Sequence, residues 1–276
     1  MNISQNNFYH PQFKGLTKPE TPCMFVFDLD GTLTNGTDRD ISQVMKTAKE
    51  RNAKIIYATG RDKNKLEELQ GELFNRNVYL PNPDYLIAHN GENIYKNIDG
   101  ELYKDFNYNN DIEKQTNFNR GNVASALNKY DELEPVQNDD STVLMYKVDK
   151  NSNLEKLRKK VIKTLSDNNI TSLCGYQENP DHKIMFLAPF NKASGINYLK
   201  KDLNIPNEEI LLAGNDNNDI SMAKLTESGS KFICLNNSSN RLKHVCNKIK
   251  EHCDNVYMAM NNGTNGILEG FSNFIK

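Results

Sequence analysis

The feature that most constrains this chain is the stretch Phe25-Val26-Phe27-Asp28-Leu29-Asp30-Gly31-Thr32-Leu33, where a short apolar run ends in two carboxylates one residue apart. Such a run reads as a buried strand that gives way to a polar loop. In an open α/β sheet, ligands collect in the crevice beyond the carboxyl ends of the strands, so both acids fall where chemistry is expected. Two carboxylates repel a phosphate dianion unless a hard cation such as Mg²⁺ bridges acid and phosphate oxygens. With the metal in place, Asp28 can attack phosphorus and form an aspartyl-phosphate, which divides one difficult displacement into two easier ones. Asp30 then has a separate role, protonating the leaving oxygen and later taking a proton from the hydrolytic water. Gly31 permits an unusual backbone angle or a close approach, and Thr32 offers a hydroxyl and a backbone donor.

The rest of the chain bounds the classes open to it. Its 276 residues are enough for one large domain or two ordinary ones, with a hydrophobic fraction of 37%. A net charge of −2 supplies no strong global attraction for nucleic acid or an anionic membrane, so a small soluble substrate fits better, and the acidic loop makes it a phosphorylated one. No apolar run has transmembrane length, and the polar start lacks a signal-peptide core. Residues 1–22 are therefore read as a polar lead-in, and the protein as cytoplasmic. The odd, scattered cysteines Cys23, Cys174, Cys234, Cys246 and Cys253 agree with reduced thiols. His244, Cys246, His252 and Cys253 lie close together, but their spacing matches no standard zinc site.

Periodicity extends the pattern. Ile41, Val44, Met45 and Ala48 mark a helix after the first strand, and 54–58 is a second strand ending in Thr59-Gly60-Arg61. Leu66, Leu69 and Leu73 mark another helix, and 84–88 is a third strand running into His89-Asn90-Gly91. Alternating strands and helices predict a parallel sheet with helices on both faces. From about Asn90 the pattern changes: a hairpin around Asp99-Gly100, a polar helical segment over 110–130, strands at 141–148, 171–176 and 183–188, and a helix over 154–165. This segment, 90–188, is expected to be an α+β cap inserted between core halves 23–89 and 189–276. Lys192 opens the helix that resumes the core, and 209–213 is a strand leading into Gly214-Asn215-Asp216-Asn217-Asn218-Asp219.

Asp28-Leu29-Asp30-Gly31-Thr32 resembles the first motif of the haloacid dehalogenase (HAD) superfamily of phosphohydrolases, and the second acid resembles its phosphatases in particular. Thr59, Lys192 and the Asn215–Asp219 segment resemble the second, third and fourth motifs, in the family's order. The large cap resembles the Cof-type branch, which also holds sucrose-phosphate phosphatase-like enzymes. The resemblance implies a Rossmann-like core and the hydrolysis of a phosphate monoester, such as a sugar phosphate. It makes Asp28 the nucleophile and Asp30 the general acid/base, with Thr59, Lys192 and Arg61 on the phosphate. The implied Mg²⁺ ligands are Asp28, the backbone carbonyl of Asp30, Asn215 and Asp219, with Asp216 and Asn218 beside them, and Asn90, with His89, is a candidate substrate contact. One position departs from the pattern. Asn215 stands where the first metal-binding acid is usual, and an amide oxygen coordinates Mg²⁺ without contributing charge. The same residues also suit a phosphomutase, a phosphoprotein phosphatase, or a binding protein that has lost turnover.

Overall fold

The structure, a computed structural model, describes residues 23–137, 142–178 and 183–275; the polar lead-in 1–22 and Ser141, the expected start of a strand, lie outside them. The first half of the core alternates β1 (Met24–Phe27), α1 (Asp38–Glu50), β2 (Lys54–Ala58), α2 (Lys63–Phe74) and β3 (Tyr85–Ala88). A hairpin, β4 (Asn93–Ile98) and β5 (Glu101–Lys104), follows, then α3 (Phe106–Thr116) and α4 (Arg120–Leu127). Next come β6 (Leu133–Val136), β7 (Leu144–Val148), α5 (Leu154–Asp167), β8 (Leu173–Glu178) and β9 (Lys183–Ala188). The chain closes with α6 (Lys192–Asp202), β10 (Ile210–Gly214), α7 (Ile220–Ala223), β11 (Lys231–Cys234), α8 (Asn240–Lys250), β12 (Val256–Met258) and α9 (Gly263–Phe274).

The main sheet has eight strands in the order β12-β11-β10-β1-β2-β3-β4-β5. From β12 to β3 every pairing is parallel, and β1 lies centrally, its Val26 opposite Leu212 of β10 and Ile56 of β2. Strand side chains alternate between faces, and here both faces are buried. Phe25, Phe27 and Tyr57 pack with Ile41 and Val44 of α1, Leu66 and Leu69 of α2, and Phe271 of α9. Met24, Val26 and Ile56 pack on the other side with Ile196 and Leu199 of α6 and with Leu242 and Cys246 of α8. Helices therefore cover both faces, which is why these strands read as unbroken apolar runs.

The second sheet is antiparallel, in the order β6-β7-β9-β8. Its own apolar cluster runs from Phe118 to Leu187 and joins Tyr146, Met185 and Leu187 to Val123 of α4 and Leu157 and Val161 of α5. The sequence alone assigns the hairpin to the inserted cap; in the structure it extends the main sheet, with β4 antiparallel to β3. Ile94 and Tyr108 of α3 are buried in the core cluster, so apolar burial draws this stretch to the core. The polar segment expected as one helix is two, because Asn117 adopts a left-handed conformation and Asn119 caps the start of α4. Strand β6, which no pattern in the sequence announces, contains Pro135, which an edge strand tolerates because its N–H side need not pair.

Candidate active site

Asp28 follows the last residue of the central strand. Its N–H donates to the Ala213 carbonyl of β10 at 3.0 Å, which fixes where β1 ends. The next residues turn sharply: the Leu33 N–H returns to the Asp28 carbonyl at 3.2 Å, and Gly31 takes φ +76°. A side chain at Gly31 would be strained in that conformation and would strike the Asn215 side chain. The turn is also held from outside. Asn237 Nδ2 donates to the Gly31 carbonyl at 2.7 Å, and Thr264 Oγ1 donates to the Leu33 carbonyl at 2.8 Å.

Three charged side chains meet beneath this turn. Lys192 is fully buried, 0% exposed, and its Nζ lies 2.7 Å from Oδ1 of Asp28 and 2.7 Å from Oδ1 of Asp219. A capping box places the lysine: Asn191 and Ser194 satisfy each other's backbone N–H groups, so Lys192 occupies the first position of α6. Asp219 is equally constrained, because its Oδ2 accepts from the N–H groups of Asn215 at 2.8 Å and Asp216 at 3.0 Å. Gly214 permits this packing, since a Cβ there would collide with the Asp219 carboxylate. Burial and the neighbouring charge of Asp219 push the Asp28 carboxyl up to about 6, against the lowering influence of Lys192 and Thr32. Burial disfavours the charged Lys192, but Asp219 and Asp28 outweigh it and raise its affinity for the proton.

The other predicted residues surround this triad at the carboxyl ends of the strands. Thr59 directly follows β2, is fully buried and accepts the Arg61 N–H on its Oγ1 at 3.1 Å. Arg61, assigned from sequence to phosphate, grips Asp30 with both prongs of its guanidinium, at 2.9 and 2.8 Å. Asp30 itself faces solvent, its side chain 55% exposed. The turn at His89–Gly91 is pinned to the end of β2 by Asn90 N–H to the Thr59 carbonyl, 2.8 Å, and His89 N–H to the Arg61 carbonyl, 3.0 Å. Asn218 Nδ2 then donates to Asn90 Oδ1 at 2.8 Å, closing the rim between β3 and β10. The Asp216 carboxylate caps the following turn, accepting the Asn217 N–H at 2.7 Å and the backbone N–H of Asp219. Asn215 Oδ1 accepts from Thr32 Oγ1 at 3.2 Å and keeps a second lone pair.

Sequence reasoning passed over Asn237 and Thr264, the two residues that tie down the turn after β1. Their signal was position. Asn237 lies shortly after β11 and Thr264 lies in the first turn of α9, both at the same end of the sheet as Asp28.

Comparison with known proteins agrees with this architecture. Residues 21–275 match the family Sucrose-6F-phosphate phosphohydrolase. A phosphomannomutase from Babesia bovis is 30% identical over 79 residues, which is 27% of this chain, and the chain spans only 30% of the length of that curated relative. The solved structure of the sucrose-phosphatase from Synechocystis sp. PCC6803, in complex with sucrose and phosphate, has a TM-score of 0.65 at 20% identity, covering 92% of this chain and 98% of that one. The haloacid dehalogenase-like hydrolase yhjK from Bacillus subtilis has a TM-score of 0.66 at 14% identity, covering 93% of each chain. At these identities the likeness to the two structures is one of fold, a Rossmann-like core with a cap. The family match begins ahead of β1 and runs through α9, taking in both sheets and every residue of the site, and the chain belongs to the sucrose-6F-phosphate phosphohydrolase family of the HAD phosphatases.

Proposed function

We propose that the protein is a Mg²⁺-dependent phosphatase that hydrolyses the phosphate monoester of a small soluble metabolite through a phosphorylated Asp28. The observation that carries this reading is the buried Asp28–Lys192–Asp219 triad at the end of the central strand. Three ionised groups held out of water are costly to maintain, and such arrangements cluster at functional sites.

The donor set suits a hard cation. Lys192 holds Oδ1 of Asp28, and Asp219 is fully engaged by Lys192 and two backbone N–H groups. What remains is oxygen: the second carboxylate oxygen of Asp28, the Asp30 carbonyl and the Asn215 amide. Mg²⁺ keeps several waters and needs only one or two carboxylates beside substrate phosphate, so this sparse set fits it. Asp219 then acts through water or by orienting the loop. When bound, the metal would offset charge on the phosphate oxygens and let an anion approach a carboxylate.

Asp28 attacks phosphorus with one carboxylate oxygen while the other stays toward the cation, and the bond from phosphorus to the leaving oxygen breaks. Asp30 supplies a proton to that oxygen. It then takes a proton from water as the water attacks phosphorus and releases the Asp28 carboxylate. The Lys192 ammonium offsets charge on the nucleophile throughout, and the Thr59 hydroxyl donates to the phosphoryl group. Arg61 serves as the partner that aims Asp30. The segment carrying the second sheet, 118–188, acts as a cap over the site, and Asn90 with Asn218 forms the rim against which substrate rests.

Phosphate release from a panel of phosphorylated metabolites, with and without Mg²⁺, tests the reading. Release should require both the metal and Asp28, so Asp28→Asn should reduce it to background. The partial likeness to phosphomannomutase makes phosphoryl return to a sugar the second reading. Isomerised sugar phosphate without free phosphate would select it.

A further inference from the structure

The turn His89-Asn90-Gly91 has φ angles of +49°, +56° and +110°, the one run of three consecutive positive values among the described residues. Side chains disfavour that region, so such a run persists only where its surroundings over-determine it. Here the surroundings belong to the site. The N–H groups of His89 and Asn90 are pinned to the carbonyls of Arg61 and Thr59. Gly91 lies so close to the backbone of Asn191 that an added Cβ would strike its carbonyl.

The turn is held from its inner side by α3. Tyr108 Oη donates to the Gly91 carbonyl at 2.6 Å, and Asn109 Nδ2 donates to the next carbonyl, that of Glu92, at 2.9 Å. Tyr108 is fully buried in the core cluster, so its ring cannot swing away without opening the core. It packs edge-on against Tyr198 of α6, with ring centroids 5.1 Å apart, and Tyr198 Oη reaches Asp105 Oδ2 at the start of α3 at 2.9 Å. Packing alone does not call for a phenol here. Phenylalanine would fill nearly the same volume, and burying a hydroxyl is costly unless it finds a partner. The partner it finds is the carbonyl of the strained turn.

On the outer side the turn presents Asn90, which lines a cavity of about 600 Å³ together with Lys192 and Asn218. Asn90 Oδ1 accepts from Asn218, and among the described residues no acceptor meets its Nδ2 group, which leaves that donor for an oxygen of the substrate. The left-handed backbone decides where this amide points. If the turn relaxed to an ordinary φ, the side chain would leave the rim.

We propose that Tyr108 is a positioning residue: through the Gly91 carbonyl, its hydroxyl holds the left-handed turn that aims Asn90 at the leaving group of the substrate. The inference rests on the phosphatase reading for its chemistry, and a binding measurement tests it without turnover.

Tyr108→Phe removes the hydroxyl and keeps the ring, so the core stays packed. With the full chain and Mg²⁺, below the Tm of each protein, kcat/KM is measured for the better of sucrose 6-phosphate and glucose 6-phosphate and for methyl phosphate, which has no hydroxyl to meet Asn90. The ratio of sugar ester to methyl ester cancels any loss of folded protein. Tyr108→Phe and Asn90→Ala should each cut that ratio by about three- to tenfold, chiefly through KM for the sugar ester, the worth of one neutral hydrogen bond. The double variant should fall no further than Asn90→Ala alone, because the hydroxyl acts through that amide. Calorimetric titration with the phosphonate isostere of glucose 6-phosphate against methylphosphonate, neither of which can be hydrolysed, reads the same ratio as affinities. A ratio unchanged in either single variant, or a double variant that loses the product of the two single losses, would overturn the inference. If no ester releases phosphate but the affinity ratio falls in the expected pattern, the role of Tyr108 stands and the phosphatase reading falls.

Discussion

Replacing Lys192 with methionine is the sharpest test of how this site is held together. The side chain keeps its length and apolar stem, so the core around α6 retains its packing, and only the ammonium is lost. That ammonium lies 2.7 Å from both Asp28 and Asp219, with no exposure to solvent. Its removal leaves two buried carboxylates facing one another. Taking one partner from a buried ion pair costs about 3–5 kcal/mol. For a domain of this size that corresponds to a fall in Tm of about 6–20 °C, at about 2–4 °C per kcal/mol. The loss should depend on pH. In the variant only Thr32 still opposes the burial and the Asp219 charge that raise Asp28, so its carboxyl should hold a proton more tightly still. Protonation removes the repulsion, and the gap to wild type should therefore shrink as the pH is lowered from 8 to 4. Calorimetric scans of both proteins in EDTA across that range measure it. A drop in Tm below about 3 °C at pH 8, or a gap of constant size, would refute the view that the triad is a tightly coupled buried cluster.

Three further outcomes follow from the same geometry. In metal-free wild type, Asp28 titrates near 6 when folded against 3.8 in its ordinary state, so the folded protein binds the extra proton between these values. Its contribution is then greatest below pH 4 and lost as the pH rises through 6, and Tm in EDTA should decline over that interval; a rise traceable to Asp28, absent in Asp28→Asn, would contradict it. Asn215→Asp should lower the half-saturating Mg²⁺ concentration by about tenfold, since ligand charge tunes affinity over decades, and should lower Tm in EDTA by crowding a third carboxylate beside Asp28 and Asp219. An unchanged Mg²⁺ titration would remove residue 215 from the metal set. Gly91→Ala should cost about 1–3 kcal/mol in thermal unfolding, because Gly91 has φ +110° and a Cβ would strike the Asn191 carbonyl just ahead of Lys192. A Tm within 1 °C of wild type would show that the backbone yields there without strain.

The elements most legible in the sequence were those whose signal is local. The central strands are apolar on both faces because helices cover both, so 24–27 and 210–214 stand out as runs, and the acids beyond them fall at the crevice by rule of topology. The start of α6 at Lys192 was readable from the apolar spacing of Ile196 and Leu199 that follows it. Other features depend on distant partners. The hairpin at 93–104 has the same local pattern whether it joins the core or the cap, and only the burial of Ile94 and Tyr108 decides between them. Arg61 has the fork for phosphate or for carboxylate, and the 31 residues separating it from Asp30 conceal which it meets.

The parallel core is contained in the linear chain, because it follows from periods of two and 3.6 residues and from the ends of strands, and the resemblance to the HAD superfamily adds the order of the motifs and the candidate reactive side chains. What those side chains do to one another is settled by packing. Lys192 is 164 residues from Asp28 and 27 from Asp219, and no local pattern specifies that one ammonium neutralises both. The same holds for Asn237 and Thr264 over the turn that follows β1. These arise when the strands and helices come together in space, where burial and charge pairing select among contacts that the linear order leaves equally open.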